Sequence, residues 1–457
     1  MAFKGSLAFR KVLFLNHNIR TPAFFALVII PAAHLQPTDN ADHLTFFEVF
    51  FRKLTGFAEC NASDEVGILL ALTFETAVDR FGKDSISANI VPWDVTPDEG
   101  FSRIPMWCAD MSFVAAPPVM KAINKRLEFQ SFGYFELSDE YFDSIISWQS
   151  RRNGVQGLMK EHIGYENGVL GGVSSAIQAL SAPGDKILLH SPTYIGFTHV
   201  LNDIGRTAVH SPLVRDEHGV WRMDYADMDR KIKENGIHLA ISCSPHNPCG
   251  RVWERWELEK AMELFKKYNV YVVSDEIWSD IILSGHKHIP TQSISEDARQ
   301  RTAAMYAPSK TFNLAGLIGS YHIVYNDWWR DRINKESSLC HYNSMNVLSM
   351  HALIGAYKPE GYEWADELRE VLTGNVDFAY DYIAQHFEGV KVAKPEGTYM
   401  LFVDCTDWCA AHGKTIQEVE QACWDVGAAV QDGTMFHGVT MLPPSSRSCW
   451  SSRCCTT

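Results

Sequence analysis

The sequence predicts an α/β fold, in which a large domain is built on a mixed, mainly parallel sheet and followed by a smaller α+β domain. Three observations predict it. Short apolar runs recur between residues 186 and 325, each too brief for a helix and apolar on both faces. Amphipathic helical patterns separate several of them, which is how parallel strands are joined. From Gly361 the rhythm changes to one long helical stretch, then short strands and a further helix.

The elements follow in order. Residues 1–70 carry no clear strand–helix rhythm and are expected to be a poorly ordered N-terminal extension. Met1 to Thr38 holds Lys4, Arg10, Lys11 and Arg20 and no acid. An organellar transit peptide and a plain extension both have that composition. The longest apolar run, Phe24 to Ile30 and on to Leu35, contains Pro31 and His34. It is shorter than the ~20 residues a membrane span needs. Residues 71–125 read as an entry segment and part of the small domain, with Trp93-Asp94 and Ile104–Phe113 ordered. The large domain is placed at 126–357. Helices are expected at 117–128, 139–153, 173–182, 195–204, 222–235 and 254–268. Strands are expected at Lys186–His190, Arg206–Pro212, His238–Cys243, Val270–Ser274, Thr302–Ala307 and Ser320–Tyr325. The small domain, 358–438, takes a helix from Gly361 to about Phe387, strands at Val390–Ala393, Tyr399–Asp404 and Ala428–Val430, and a helix at 416–425. Residues 439–457 form an atypical tail.

Composition narrows the function. A chain of 457 residues can bury the cores of two domains. The net charge of −14 argues against nucleic-acid partners, so an anionic cofactor must be held by local donors. Eleven cysteines lack framework spacing and read as reduced cytoplasmic thiols. The Cys405…Cys409…His412 run has no second ligand cluster and reads as a helix start rather than a metal site.

The chemistry gathers at three strand ends. Lys310 lies in Ala307-Pro308-Ser309-Lys310-Thr311-Phe312-Asn313, just past a strand. Burial there disfavours its charge and makes the amine nucleophilic, as a Schiff-base lysine requires. Asp275 ends the run Val272-Val273-Ser274-Asp275, where open α/β sheets place ligands. Its carboxylate can keep a pyridine nitrogen protonated. Asn247, in Ser244-Pro245-His246-Asn247-Pro248-Cys249-Gly250, can donate to a phenolic oxygen. An amine, a carboxylate and an amide at converging strand ends point to pyridoxal 5'-phosphate (PLP). Gly172, Val173 and Ser174 lead into a helix, and the amides of Val173 and Ser174 are expected to receive the phosphate. Ser309 offers a hydroxyl. Tyr194, in Ser191-Pro192-Thr193-Tyr194, can lie flat on the cofactor ring. Tyr134, in Phe132-Gly133-Tyr134, can reach the phosphate of a neighbouring subunit. Lys310, Asp275 and Tyr194 are the candidate catalytic residues.

In this order the motifs resemble the class I/II aminotransferase superfamily of PLP fold type I. Pro105-Met106-Trp107-Cys108-Ala109-Asp110-Met111 and Pro395-Glu396-Gly397-Thr398-Tyr399 resemble its cystathionine β-lyase, or C–S lyase, subgroup. The resemblance spans roughly Phe74 to Gly438. It implies a seven-stranded sheet, PLP held on Lys310, a small amino-acid substrate, and a homodimer with sites at the interface. Elimination of a thiol with release of pyruvate and ammonia is one outcome it implies. Transamination is the alternative. A third is a catalytically impaired PLP-fold protein with a binding or regulatory role. That third reading is motivated by the tail. Where the family carries an Arg–hydrophobic–Asn strand that clamps the substrate carboxylate, Arg447 and Arg453 stand in a Ser/Cys-rich run, the kind of text a shifted or truncated reading frame produces. Two further departures are noted. Trp278 stands where Tyr or His is usual, and indole donates a hydrogen bond but accepts none. Ala307 and Ile318 stand where a phosphate-binding serine and arginine are common.

Overall fold

The computed structural model describes residues 77–89, 97–99, 103–339 and 343–437, together with Phe74, Phe101 and the backbone of residues 26–30. The rest of the expected extension and the whole tail, with Arg447 and Arg453, lie outside the described residues.

The large sheet has seven strands: β1 (Ile163–Glu166), β2 (Lys186–Ser191), β3 (Thr207–Pro212), β4 (Leu239–Cys243), β5 (Tyr271–Asp275), β6 (Thr302–Tyr306) and β7 (Ser320–Val324). Their spatial order is β1-β7-β6-β5-β4-β2-β3. Only β7 runs against its neighbours. The six apolar runs of the sequence are all strands. β4, β6 and β7 are buried at every residue, which explains their unbroken apolar text. The seventh strand, β1, holds only Ile-Gly-Tyr-Glu and gave no such run.

Three adjacent parallel strands carry the motifs. Asp275 on β5 is in register with Cys243 on β4 and with Met305 on β6. Asn247, Asp275 and Lys310 therefore leave the sheet at one edge, at the carboxyl ends of neighbouring strands.

Helices Pro117–Glu128, Asp139–Asn153 and Ile416–Asp425 have the expected bounds. Ser138 caps the second by accepting from the Tyr141 amide at 3.3 Å, and Gly154 ends it in the left-handed conformation. The helix expected at 173–182 is corrected to Val169–Gln178. The two glycines read as turn residues lie inside it. A Cβ at Gly172 would stand 2.8 Å from Met305 Sδ and 2.9 Å from Glu166 Cγ. This residue is small so that the helix can approach the sheet closely. Helix Val347–Ala356 is buried on nearly all faces, so it has no polar stripe for a periodicity argument to find.

The smaller sheet is ordered Lys391–Val392, Met400–Asp404, Ala26–Ile30, Gln431–Asp432. Ala26–Ile30 pairs in parallel with both of its neighbours. The reading of residues 1–70 as a poorly ordered extension is corrected at this strand. Ala-Leu-Val-Ile-Ile is an unbroken apolar run rich in β-branched residues, and it suits a central strand. Ala428–Ala429 pairs with Ile104–Pro105, so this lobe is built from both ends of the chain. Cys405 precedes helix Thr406–His412, directly after a strand. Among the described residues no helix is long and apolar enough to cross a membrane.

Candidate active site

Lys310 follows β6 in a turn, partly buried. Its Nζ donates to the carbonyl of Ala109 at 3.0 Å and lies 5.5 Å from the centre of the Trp278 ring. Burial lowers the pKa of this amine, while Cys108, Asp110 and Asp275 pull it back up. Desolvation wins, so the amine is closer to neutral than a surface lysine.

Asp275 is 4 % exposed. Its Oδ1 accepts from the Ile277 amide at 3.0 Å. Burial pushes its carboxyl up to about 7, against opposing pulls from that amide and from Lys310. Such a carboxyl calls for a further cation. Burial likewise pushes the Tyr194 hydroxyl up to about 12, with the charge of Asp275 adding to it. Asn247 is buried, its Oδ1 has no hydrogen-bond partner, and its backbone N–H donates to Cys243 Sγ at 3.5 Å.

Trp278 is buried and meets Tyr399 edge to face, with ring centres 5.0 Å apart. The structure thus brings together Lys310, Asp275, Tyr194, Asn247 and Trp278. Ser309 adjoins them in the chain, and its carbonyl accepts from the Leu314 amide at 3.0 Å.

The phosphate reading is corrected. Val173 and Ser174 lie within helix Val169–Gln178, where amides donate to carbonyls one turn back. The Ser174 hydroxyl accepts from Gln178 Nε2 at 3.1 Å, and Val173 is wholly buried. The amides left free by the helix are those of Val169, Leu170 and Gly171, behind Gly168 at φ 79°. Tyr134 stands apart, fully exposed in a segment without regular structure.

The sequence pattern of the family described as aminotransferase class I and II matches residues 110–452. The chain belongs to this family. That match runs on into the tail, beyond the span the motifs covered. Cystathionine beta-lyase PatB of Bacillus subtilis (strain 168) is 33% identical over 369 residues, which is 80% of this chain and 92% of that protein. The PLP-bound C-S lyase from Staphylococcus hominis has 29% identity and a TM-score of 0.67, over 74% of this chain and 84% of that one. Cystalysin from Treponema denticola has 25% identity and a TM-score of 0.69, over 81% and 96%.

Within this class I and II aminotransferase, three participants went unassigned in the sequence. The Ala109 carbonyl holds the lysine amine. Cys108 shares its electrostatic surroundings with Lys310 and Tyr194. Tyr399 is buried with its hydroxyl unpartnered. All three lie in the entry and Pro-Glu-Gly-Thr-Tyr motifs, so the signal was present without an assigned role.

Proposed function

We propose that this enzyme is a PLP-dependent carbon–sulfur β-lyase acting on cystathionine or a cysteine conjugate, releasing pyruvate, ammonia and a thiol. The observation that carries the reading is the buried triplet of Lys310, Asp275 and Asn247 at adjacent strand ends, in a chain whose relatives include cystathionine β-lyase and C–S lyases.

The residues fit the cofactor. Asp275 is a buried carboxyl lacking a strong cationic partner, as a pyridine nitrogen needs. Asn247 would donate its side-chain N–H to the ring oxygen, which leaves its unpartnered Oδ1 free to accept. The free amides of Val169–Gly171 suit a phosphate. Lys310 would hold PLP covalently through Nζ, and Tyr194 and Trp278 would flank it. PLP supplies an electron sink for charge developing at the substrate Cα.

The chain's own groups do the rest. Lys310 Nζ, whose pKa burial lowers, is placed to take the proton from the substrate Cα as general base. Asp275 keeps the cofactor end of the site electron-poor. Trp278 and Tyr399 close one wall against water. Loss of a Cβ thiolate then gives the lyase outcome, whereas return of the proton to the cofactor side gives transamination. The aminotransferase family match favours keeping transamination as the second reading.

We further propose a cytoplasmic homodimer in which Tyr134 serves the phosphate of the other subunit's cofactor. Phe129, Phe132 and Tyr134 are exposed aromatics within one short stretch of chain, which suits such an interface. Cys108, Cys243, Cys249, Cys405 and Cys423 are free thiols, as a reducing compartment keeps them.

The test is turnover of cystathionine by the purified protein, with pyruvate release and amino-group transfer both measured. Pyruvate and thiol in equal amounts support the lyase. Stoichiometric amino transfer without thiol would overturn it.

A further inference from the structure

A second cavity lies away from Lys310. It is a crevice of about 490 Å³ between the large-sheet domain and the smaller lobe. On one side is the two-stranded ribbon Val214–Arg215 and Trp221–Arg222. On the other are helix Pro359–His386 and the segment through Lys391, Lys394 and Glu396.

Most cations of this crevice are already satisfied. Lys391 pairs with Asp407 at 2.6 Å, and Lys394 with Asp377 at 2.7 Å. Arg251 is held by Glu254, Glu257 and Glu396. Arg215 is different. Its Nη1 makes only a long ion pair with Asp404, at 3.8 Å, and its Nη2 is buried without a hydrogen-bond partner. It lies over the Trp221 ring, 4.6 Å from the centre. Trp221 is only 7 % exposed, and its Nε1–H has no partner either.

Arg215 and Trp221 both line the crevice, and each keeps one unpartnered donor, Nη2 and the indole N–H, buried beneath its wall. Buried donors are nearly always paired, and an exception calls for a missing partner. A guanidinium fork prefers a planar or tetrahedral oxyanion that can accept two bonds, and an indole N–H adds a third donor. The crevice has room for a small organic anion.

We propose that this crevice binds a small oxyanion, a carboxylate or phosphate group, through Arg215 and Trp221. The ligand draws the Arg215 fork off the indole face and into the space between the domains. It then touches both lobes at once, since Glu396 joins them by accepting from the Val252 amide at 3.0 Å. The site is independent of the reaction assigned to Lys310.

The test uses the full chain loaded with PLP, so that the cofactor's own phosphate site is filled. Inorganic phosphate and succinate are titrated separately by calorimetry at constant ionic strength. Saturable binding of one equivalent of either anion is expected, and the anion that binds identifies the headgroup. Arg215→Gln should weaken it at least about tenfold, the effect of losing a charge-assisted pair. Trp221→Phe keeps the ring, removes only the N–H, and should weaken it severalfold. Arg215→Lys should recover part of the affinity, which separates lost binding from lost folding. Absence of saturable binding by the parent protein, or unchanged affinity in both Arg215→Gln and Trp221→Phe, would overturn the proposal.

Discussion

Asn313 and Met111 exchange two hydrogen bonds, the Asn313 side-chain amide donating to the Met111 carbonyl at 2.8 Å and accepting from its backbone amide at 3.1 Å. This pair clips the entry segment to the lysine loop. Two residues back along the entry segment, the Ala109 carbonyl meets Lys310 Nζ. Asn313 itself has φ 56°, a left-handed conformation that asparagine tolerates better than most residues. Asn313→Ala should therefore cost about 1–3 kcal/mol in urea unfolding, through two lost bonds and added strain. It should also loosen the lysine turn, read as faster loss of PLP on dialysis. Unchanged stability and retention would show that the clip is incidental.

Lys310→Ala should abolish covalent attachment of PLP. Borohydride reduction followed by peptide mapping should label Lys310 in the parent and leave the variant unlabelled. A label on any other lysine would move the attachment site.

Asp275→Asn removes the carboxylate proposed to hold the ring nitrogen. A fall of about 10²–10³ in kcat is expected, the scale of losing one preorganised electrostatic group. An unchanged kcat/KM would reduce Asp275 to a cap for the Ile277 amide.

The same residue sets a pH dependence in the cofactor-free protein. Its folded carboxyl titrates at about 7, well above the ordinary carboxylate value. The folded protein holds a proton there that the unfolded chain has released. The stability this contributes is complete below about pH 4 and lost as pH rises through about 7. Asp275→Asn cannot ionise. Between about pH 5 and about pH 8, the variant's unfolding free energy should fall less than the parent's. Parallel pH profiles would place the proton elsewhere.

Gly250 sits at φ 67°, and a Cβ there would stand 2.5 Å from Pro395 Cβ and 2.8 Å from the Gly397 carbonyl oxygen. Its own carbonyl accepts from the amides of Glu396 and Gly397. Gly250→Ala should destabilise the protein by roughly 1–3 kcal/mol or more, through strain and overpacking. Urea unfolding measures it, and a loss below the error of that method would mean the two segments separate readily.

Much of the fold was legible because its strands are buried on both faces and spell themselves in Val, Ile and Ala. β1 was illegible because Gly164 and Tyr165 dilute its four residues, and it is a strand only through pairing with β7. The candidate site residues at β4, β5 and β6 were legible because Asp275 ends its strand and Asn247 and Lys310 come four residues after theirs. What the sequence misplaced was the helix start beside them. Gly171 and Gly172 read as a turn, whereas Gly172 is small for the sake of Met305 and Glu166 beneath it. The Ala109 contact was hidden for another reason: a backbone carbonyl carries no sequence signature.

The Ala26–Ile30 strand lies between Met400–Asp404 and Gln431–Asp432, so early residues pair only with late ones. During synthesis this segment leaves the ribosome long before either partner exists. Five apolar residues must wait unpaired while the seven-stranded sheet assembles. The smaller sheet therefore closes last, and loop closure over nearly the whole chain makes that step slow. Until it closes, Met400–Asp404 presents an open, apolar edge to any other strand nearby, and a chain lacking residues 26–30 would keep that edge permanently. Deletion of this strand should then show itself first as aggregation on expression, before any measurement of catalysis is possible.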